Sequence, residues 1–228
     1  MQLGKIKEAQ AISPDYYMVP PIDRRLTVES DRFSELSNMF AQAGNLERAL
    51  EYALRCADIE KQVAGKEHIW YGNSTIIIGN LYYALGDSIN AEENYLINKN
   101  ICKHTYGEYS ERYVDALLSL ASVNTDFSMK DGLDKATRYL DEAYSIAHKR
   151  YPLLEAQIVN QQSVIAFRNK NYEQAKTLMM QALSLCELAE GKTSNNYEIL
   201  LSNTIDLYQM FGQYDEAITL GQDFLEAC

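Results

Sequence analysis

Apolar residues recur along this 228-residue chain in stripes that repeat every 42 positions. Met39, Leu81, Val123, Ile165 and Leu207 stand 42 residues apart throughout. Three residues before each come Leu36, Ile78, Leu120, Gln162 and Thr204; six before come Phe33, Thr75, Leu117, Val159 and Leu201. Steps of three hold side chains on one helix face, whereas a strand alternates faces at every residue. Each set therefore predicts a helix. A second stripe comes later in every period: Ala53, Tyr95, Leu140, Met179 and Gly221, then Cys56, Asn98, Ala143, Ala182 and Phe224. Ile59, Ile101, Ile146 and Leu185 continue it, so each period predicts a second helix.

Between the stripes lies a short phrase: GNLERA, GDSINA, DGLDKA, KNYEQA and GQYDEA, ending at Ala49, Ala91, Ala136, Ala175 and Ala217. Gly44, Gly86 and Gly212 punctuate it, because glycine takes a positive φ past a helix end without steric cost. Asp87 is placed to cap the second helix of its period. The small final alanine lets two helices approach closely as an antiparallel hairpin. Two helices of about 16 residues, each about 24 Å long, fit one period with short connections. Self-similarity on this scale predicts a stacked array in which every hairpin buries its face on the next. The third period departs from the pattern. Its phrase arrives three residues late, with extra residues around Ser128 to Lys130, and Pro152 is placed to start the next helix.

Gly79, Tyr82, Gly86 and Ala91 resemble the tetratricopeptide repeat, with Phe40 and Tyr208 standing where Tyr82 does. The 42-residue period is similar to the longer, kinesin-light-chain type. So is the phrase that ends the second helices, GKEH (Gly65 to His68), GEYS (Gly107 to Ser110) and GKTS (Gly191 to Ser194). The resemblance implies an all-α fold, a right-handed α-solenoid of antiparallel helix-turn-helix repeats. Five hairpins are expected at approximately 27–68, 69–110, 111–152, 153–194 and 195–228, after a partial or degenerate repeat helix and Pro-containing linker over 1–26. GKIKEA (Gly4 to Ala9) repeats the phrase once more, and Pro14, Pro20 and Pro21 break the helix that would start there. The expectation is a module of a larger regulatory or effector protein; the alternative is a self-associating repeat protein that forms a homo-oligomer through its C-terminal repeat.

A formal net charge of −11 argues against a broad phosphate-binding face, so neither nucleic acid nor a membrane is expected as partner. Cys56, Cys102, Cys186 and Cys228 include no CxxC pair and are read as small buried helix residues rather than disulfides or metal ligands. The N-terminus shows no apolar signal-like region and no stretch approaches a membrane span, so a cytoplasmic location is expected. A signal peptide removed upstream stays an alternative. No nucleophile elbow, phosphate loop or metalloprotease helix is present, so no catalytic residue, metal or cofactor is expected. His68 is read as a loop residue, and His104 and His148 as complements to helix C-termini.

What stacked hairpins supply is surface. In the resembled family the first helices line a concave groove, which here would present Asn38, Asn80 and Ser122, then Asn160 and Gln161, then Ser202 and Asn203. Carboxamides both donate and accept, so such a ladder can hold an extended peptide backbone. Ile76, Tyr83, Leu118 and Phe167 are expected as apolar pockets among them, and Arg168 as an isolated cation. The expected partner is a protein or peptide segment.

Overall fold

The computed structural model describes residues 24–127 and 131–227. The GKIKEA phrase, the Pro-containing strip to Ile22, the extra residues 128–130 and Cys228 lie outside the described residues. Ten helices and no strands occur among those described, so the fold is all-α, of the α-solenoid class. The chain divides into two compact units after Glu108.

In the first unit, α1 (Arg24–Gln42) and α2 (Leu46–Val63) form one hairpin, and α3 (Ile69–Ala84) and α4 (Ser88–Tyr106) form another. Helix α2 also packs on α3. Ala49, Ala53 and Ala57 of α2 meet Ile78 and Leu81 of α3 in one buried cluster, with Phe40 and Tyr82 against it. This arrangement explains an exception. Leu81 is 6% exposed, yet its counterpart Met39 in α1 is 65% exposed. The stripe residues of a first helix bury themselves on the second helix of the preceding hairpin, and no such helix precedes α1 among the described residues.

In the second unit, α5 (Glu111–Asp126) pairs with α6 (Gly132–Ala147), α7 (Pro152–Arg168) with α8 (Tyr172–Glu190), and α9 (Asn195–Met210) with α10 (Tyr214–Ala227). Successive hairpins join through α6 on α7 and α8 on α9. One cluster holds Leu117, Leu140, Ile146, Ile158 and Ile165; the other holds Leu183, Cys186, Tyr197, Leu200 and Leu201. Ala49, Ala91, Ala136, Ala175 and Ala217 are all buried, and Cys56, Cys102 and Cys186 are buried free thiols.

The repeated phrases act as caps. Asn45 and Asp87 accept hydrogen bonds from the backbone N–H of Arg48 and Asn90 at 3.2 and 3.1 Å. His68, in the loop before α3, accepts from Trp70 N through Nδ1 at 3.2 Å, and Ser110 and Ser194 likewise cap α5 and α9. At the junction lacking the glycine phrase, Lys149 takes the left-handed conformation (φ 60°) and Pro152 opens α7. Glu155, buried there, accepts from Lys149 N at 3.0 Å, and its second oxygen lies 2.7 Å from His148 Nδ1. A carboxylate thus ties down the backbone of this junction, while α7 itself has no side-chain cap.

Candidate functional site

The first helices α7 and α9 each present to the other one stripe with the spacing i, i+3, i+4, i+7. On α7 it is Asn160, Ser163, Val164 and Phe167; on α9 it is Asn203, Asp206, Leu207 and Met210. The two stripes face each other across a pocket of about 290 Å³. Met179 of α8 and Leu207 are buried at its floor, while Asn203, Asp206 and Met210 are exposed at its rim. Ser163 Oγ, also buried, donates to Asn160 O at 2.7 Å.

Three expected site residues, Asn160, Phe167 and Asn203, therefore line one cavity. Phe167 is held by an aromatic cluster, its ring centroid 5.6 Å from Tyr172 and 6.2 Å from Phe211. Lys176 Nζ stands 5.6 Å from the Phe211 ring, a cation–π contact that fixes the far side. Asn160 Oδ1 is buried and has no hydrogen-bond partner among the described residues. An acceptor in that state costs about 1–3 kcal/mol, a penalty that an incoming N–H would relieve.

The other expected residues are engaged differently. Gln161 is turned toward α5, donating through Nε2 to Ser122 Oγ at 2.9 Å and to Leu118 O at 3.4 Å. These two members of the expected ladder thus bond each other. Gln161 Oε1, buried, is left without a partner among the described residues. Arg168 is not an isolated cation: its Nη2 lies 3.2 Å from Asp126 Oδ1. Leu118 is buried in the hydrophobic core and forms no pocket, because it faces α6 and α7. Ser202 is exposed beside the pocket residue Asn203.

In the first unit, Asn38 is exposed, and Ile76 and Tyr83 are half-buried. Asn80 Oδ1 accepts from the hydroxyl of Tyr95 at 2.8 Å, so this carboxamide supports the hairpin. In the second unit, Glu142 accepts from the buried Tyr113 hydroxyl at 2.7 Å.

Sequence reasoning missed Ser163, Val164, Met179, Asp206, Leu207 and Met210 as site residues. Extending each groove asparagine by three, four and seven residues would have found all but Met179. It also missed the bonds between hairpins. Arg168 and Asp126 are 42 residues apart, as are Tyr151 and Tyr109, whose hydroxyl and carbonyl meet at 2.9 Å. Testing polar pairs one period apart would have revealed both.

Among the described residues no group of three His, Cys, Asp or Glu could hold a metal ion. No helix among them is long and apolar enough to cross a membrane.

Two tetratricopeptide-repeat family models match, over residues 154–228 and 31–69. Among solved structures, the chain is similar to a Podosopora anserina protein described as a kinesin light chain with nearly identical TPR-like repeats. That likeness has a TM-score of 0.66 at 18% identity, covering 89% of this chain and 94% of the other. BtubC (BKLC) from P. vanneervenii gives 0.68 at 13% identity over 98% and 85%. A thermophilic TPR protein of Thermus thermophilus gives 0.55 at 20% identity over 87% and 91%. At these identities the likeness is one of fold. No curated protein matches by sequence.

Proposed function

The chain belongs to the tetratricopeptide-repeat family, with repeats of the kinesin-light-chain-like type, and from that premise we propose that it binds an extended peptide segment of a partner protein between α7 and α9. Repeats of this family form scaffolds for protein–protein interaction and are generally non-catalytic; this chain acts as such a module, built of five hairpins over about 27–228, within a larger regulatory or effector protein. One observation supports the site above the others: a buried, unpartnered acceptor, Asn160 Oδ1, borders a pocket with an apolar floor. A peptide offers both complements, a backbone N–H for Asn160 and an apolar side chain for the space over Leu207 and Met179. The exposed Asn203 bonds the next peptide unit. Cytoplasmic residence is consistent with three buried free thiols.

Panning a random peptide library against the full chain tests this. Enriched peptides lose about tenfold or more in affinity on Val164→Glu, which puts a charge in the pocket, and a smaller factor on Asn160→Ala. Asn38→Ala leaves them unchanged. Peptides indifferent to both pocket substitutions would move the site elsewhere.

A second reading, self-association through the last helix, is favoured by a separate observation. Leu225 of α10 is 73% exposed, while Leu183, one period earlier, is 4% exposed beneath α9. Concentration-dependent mass that Leu225→Glu abolishes would support it. Leu225 is a better probe than Phe224, whose ring stacks on Tyr197 at 6.2 Å and belongs to the core.

A further inference from the structure

Helix α7 borders a second cavity on its other side. Gln162, Ile165, Ala166 and Asn169 repeat the same i, i+3, i+4, i+7 spacing, displaced two residues from the Asn160 stripe and hence about 200° around the helix. With α6 and α8 they enclose about 300 Å³. Leu140, Ile165 and Ala166 are buried at its floor.

The cavity lies where the repeat breaks its own pattern. Gln162 stands at the stripe position that Ile78, Leu120 and Thr204 bury in other hairpins. Helix α6 starts after the three-residue delay, and Lys170 replaces the punctuating glycine between α7 and α8. Polar groups collect around this opening. The side chains of Asp141, Gln162 and Gln174 form no hydrogen bonds among the described residues, and Asn171 makes no side-chain cap for α8. Thr137 commits its proton to Leu133 O at 2.8 Å and therefore presents lone pairs outward.

We propose that this cavity is a binding site for an arginine side chain presented by a partner protein. The aliphatic stem fits the floor of Leu140, Ile165 and Ala166, and the guanidinium's planar fork of N–H donors meets the oxygens of Asp141, Gln162, Gln174 and Thr137. Asp141 is the only charged lining residue, and the chain's net charge of −11 attracts a basic partner. The lining holds no cation for the α-carboxylate of a free amino acid, so the side chain arrives on a polypeptide. The site shares no lining residue with the peptide pocket and stands or falls independently of it.

The test titrates the full chain with Nα-acetyl-arginine methylamide, reading the side-chain amide resonances of Gln162 and Gln174 by NMR. Saturable one-to-one shifts are expected. The citrulline analogue, which keeps the shape without the charge, binds roughly fivefold or more weakly, and Asp141→Asn weakens the arginine probe by a similar factor. Gln162→Leu, which restores the side-chain type of Leu120, abolishes binding in a folded protein. No saturable shift, or citrulline equal to arginine, overturns the proposal; tighter binding of free arginine than of the blocked probe overturns the assignment to a partner protein.

Discussion

Asn160 and Gln162 lie two residues apart on α7 and open into two different cavities. Asn160 borders the pocket shared with α9, and Gln162 the one shared with α6 and α8. A helix turns about 100° per residue, so neighbours at this spacing serve opposite faces. One first helix thereby supplies polar groups to both sides of the hairpin layer. Separate substitutions should report on each side without disturbing the other.

Gln162→Leu is expected to raise stability by about 1 kcal/mol, as cavity-filling changes do. The half-buried carboxamide gives way to a residue whose counterpart Leu120 is fully buried. Urea unfolding read by circular dichroism checks it, and a lower midpoint would mean that Gln162 makes a stabilising bond to water or protein.

Asn80 and Asn160 both lie on first helices, Asn160 four residues earlier in its period, but truncating them has different consequences. Asn80→Ala leaves the buried Tyr95 hydroxyl without its 2.8 Å acceptor and costs about 1–2 kcal/mol. Burial pushes that hydroxyl up to about 12, so it remains a donor across the physiological range. Asn160→Ala removes a buried acceptor with no partner, and its penalty with it, so it should not lower the melting temperature. Equal losses would place an internal partner on Asn160.

The contrast shows how far the sequence could be read. Helix pairs recur in every period, and glycine turns and caps in most, so weak signals reinforce one another, and Asp87 and Pro152 do what their positions imply. Side-chain engagement does not recur. Whether Asn80 faces a ligand or Tyr95, and whether Gln161 joins a ladder or Ser122, depends on one rotamer and on partners 15 and 39 residues away.

Gly79→Ala should cost about 1–2 kcal/mol. An added Cβ would sit 2.6 Å from Tyr95 Cε1 and 2.7 Å from Cδ1. The ring is buried and tied to Asn80, so it cannot swing aside, and overpacking exceeds alanine's gain in helix propensity. In a double-mutant cycle, Tyr95→Leu costs less in the Gly79→Ala background than alone. Strict additivity would mean that the backbone, not the ring, yields.

Glu60 gives the first unit a pH dependence of definite sign. Burial pushes its carboxyl up, Asp31 adds to the effect, and hydrogen bonds from Ser74 (2.6 Å) and Cys56 only partly offset it. The folded chain therefore holds this proton more tightly than the unfolded one. Glu60's contribution is fully present below the ordinary glutamate value and declines as pH rises through the raised folded value. Glu60→Gln removes that decline, so its melting temperature relative to wild type should rise between about pH 4 and about pH 7. Parallel curves across that range would show that Glu60 is solvated.

Lys170→Gly should stabilise the second unit. Lys170 occupies the position that Gly44, Gly86 and Gly212 hold in other hairpins, and it adopts φ 64° where they adopt 76°, 82° and 70°. A residue with a Cβ loses about 1–2 kcal/mol in this region. Glycine relieves that strain but loses more freedom on folding, by about 0.5–1 kcal/mol. The net expectation is a gain of about 0.5–1 kcal/mol in urea unfolding. Gly86→Lys is the reverse experiment in the first unit. A Cβ there meets nothing within 4 Å, so the loss of similar size that we expect isolates the backbone term from any clash. If Lys170→Gly instead destabilises the protein, the lysine side chain makes a favourable contact that outweighs the strain of its backbone.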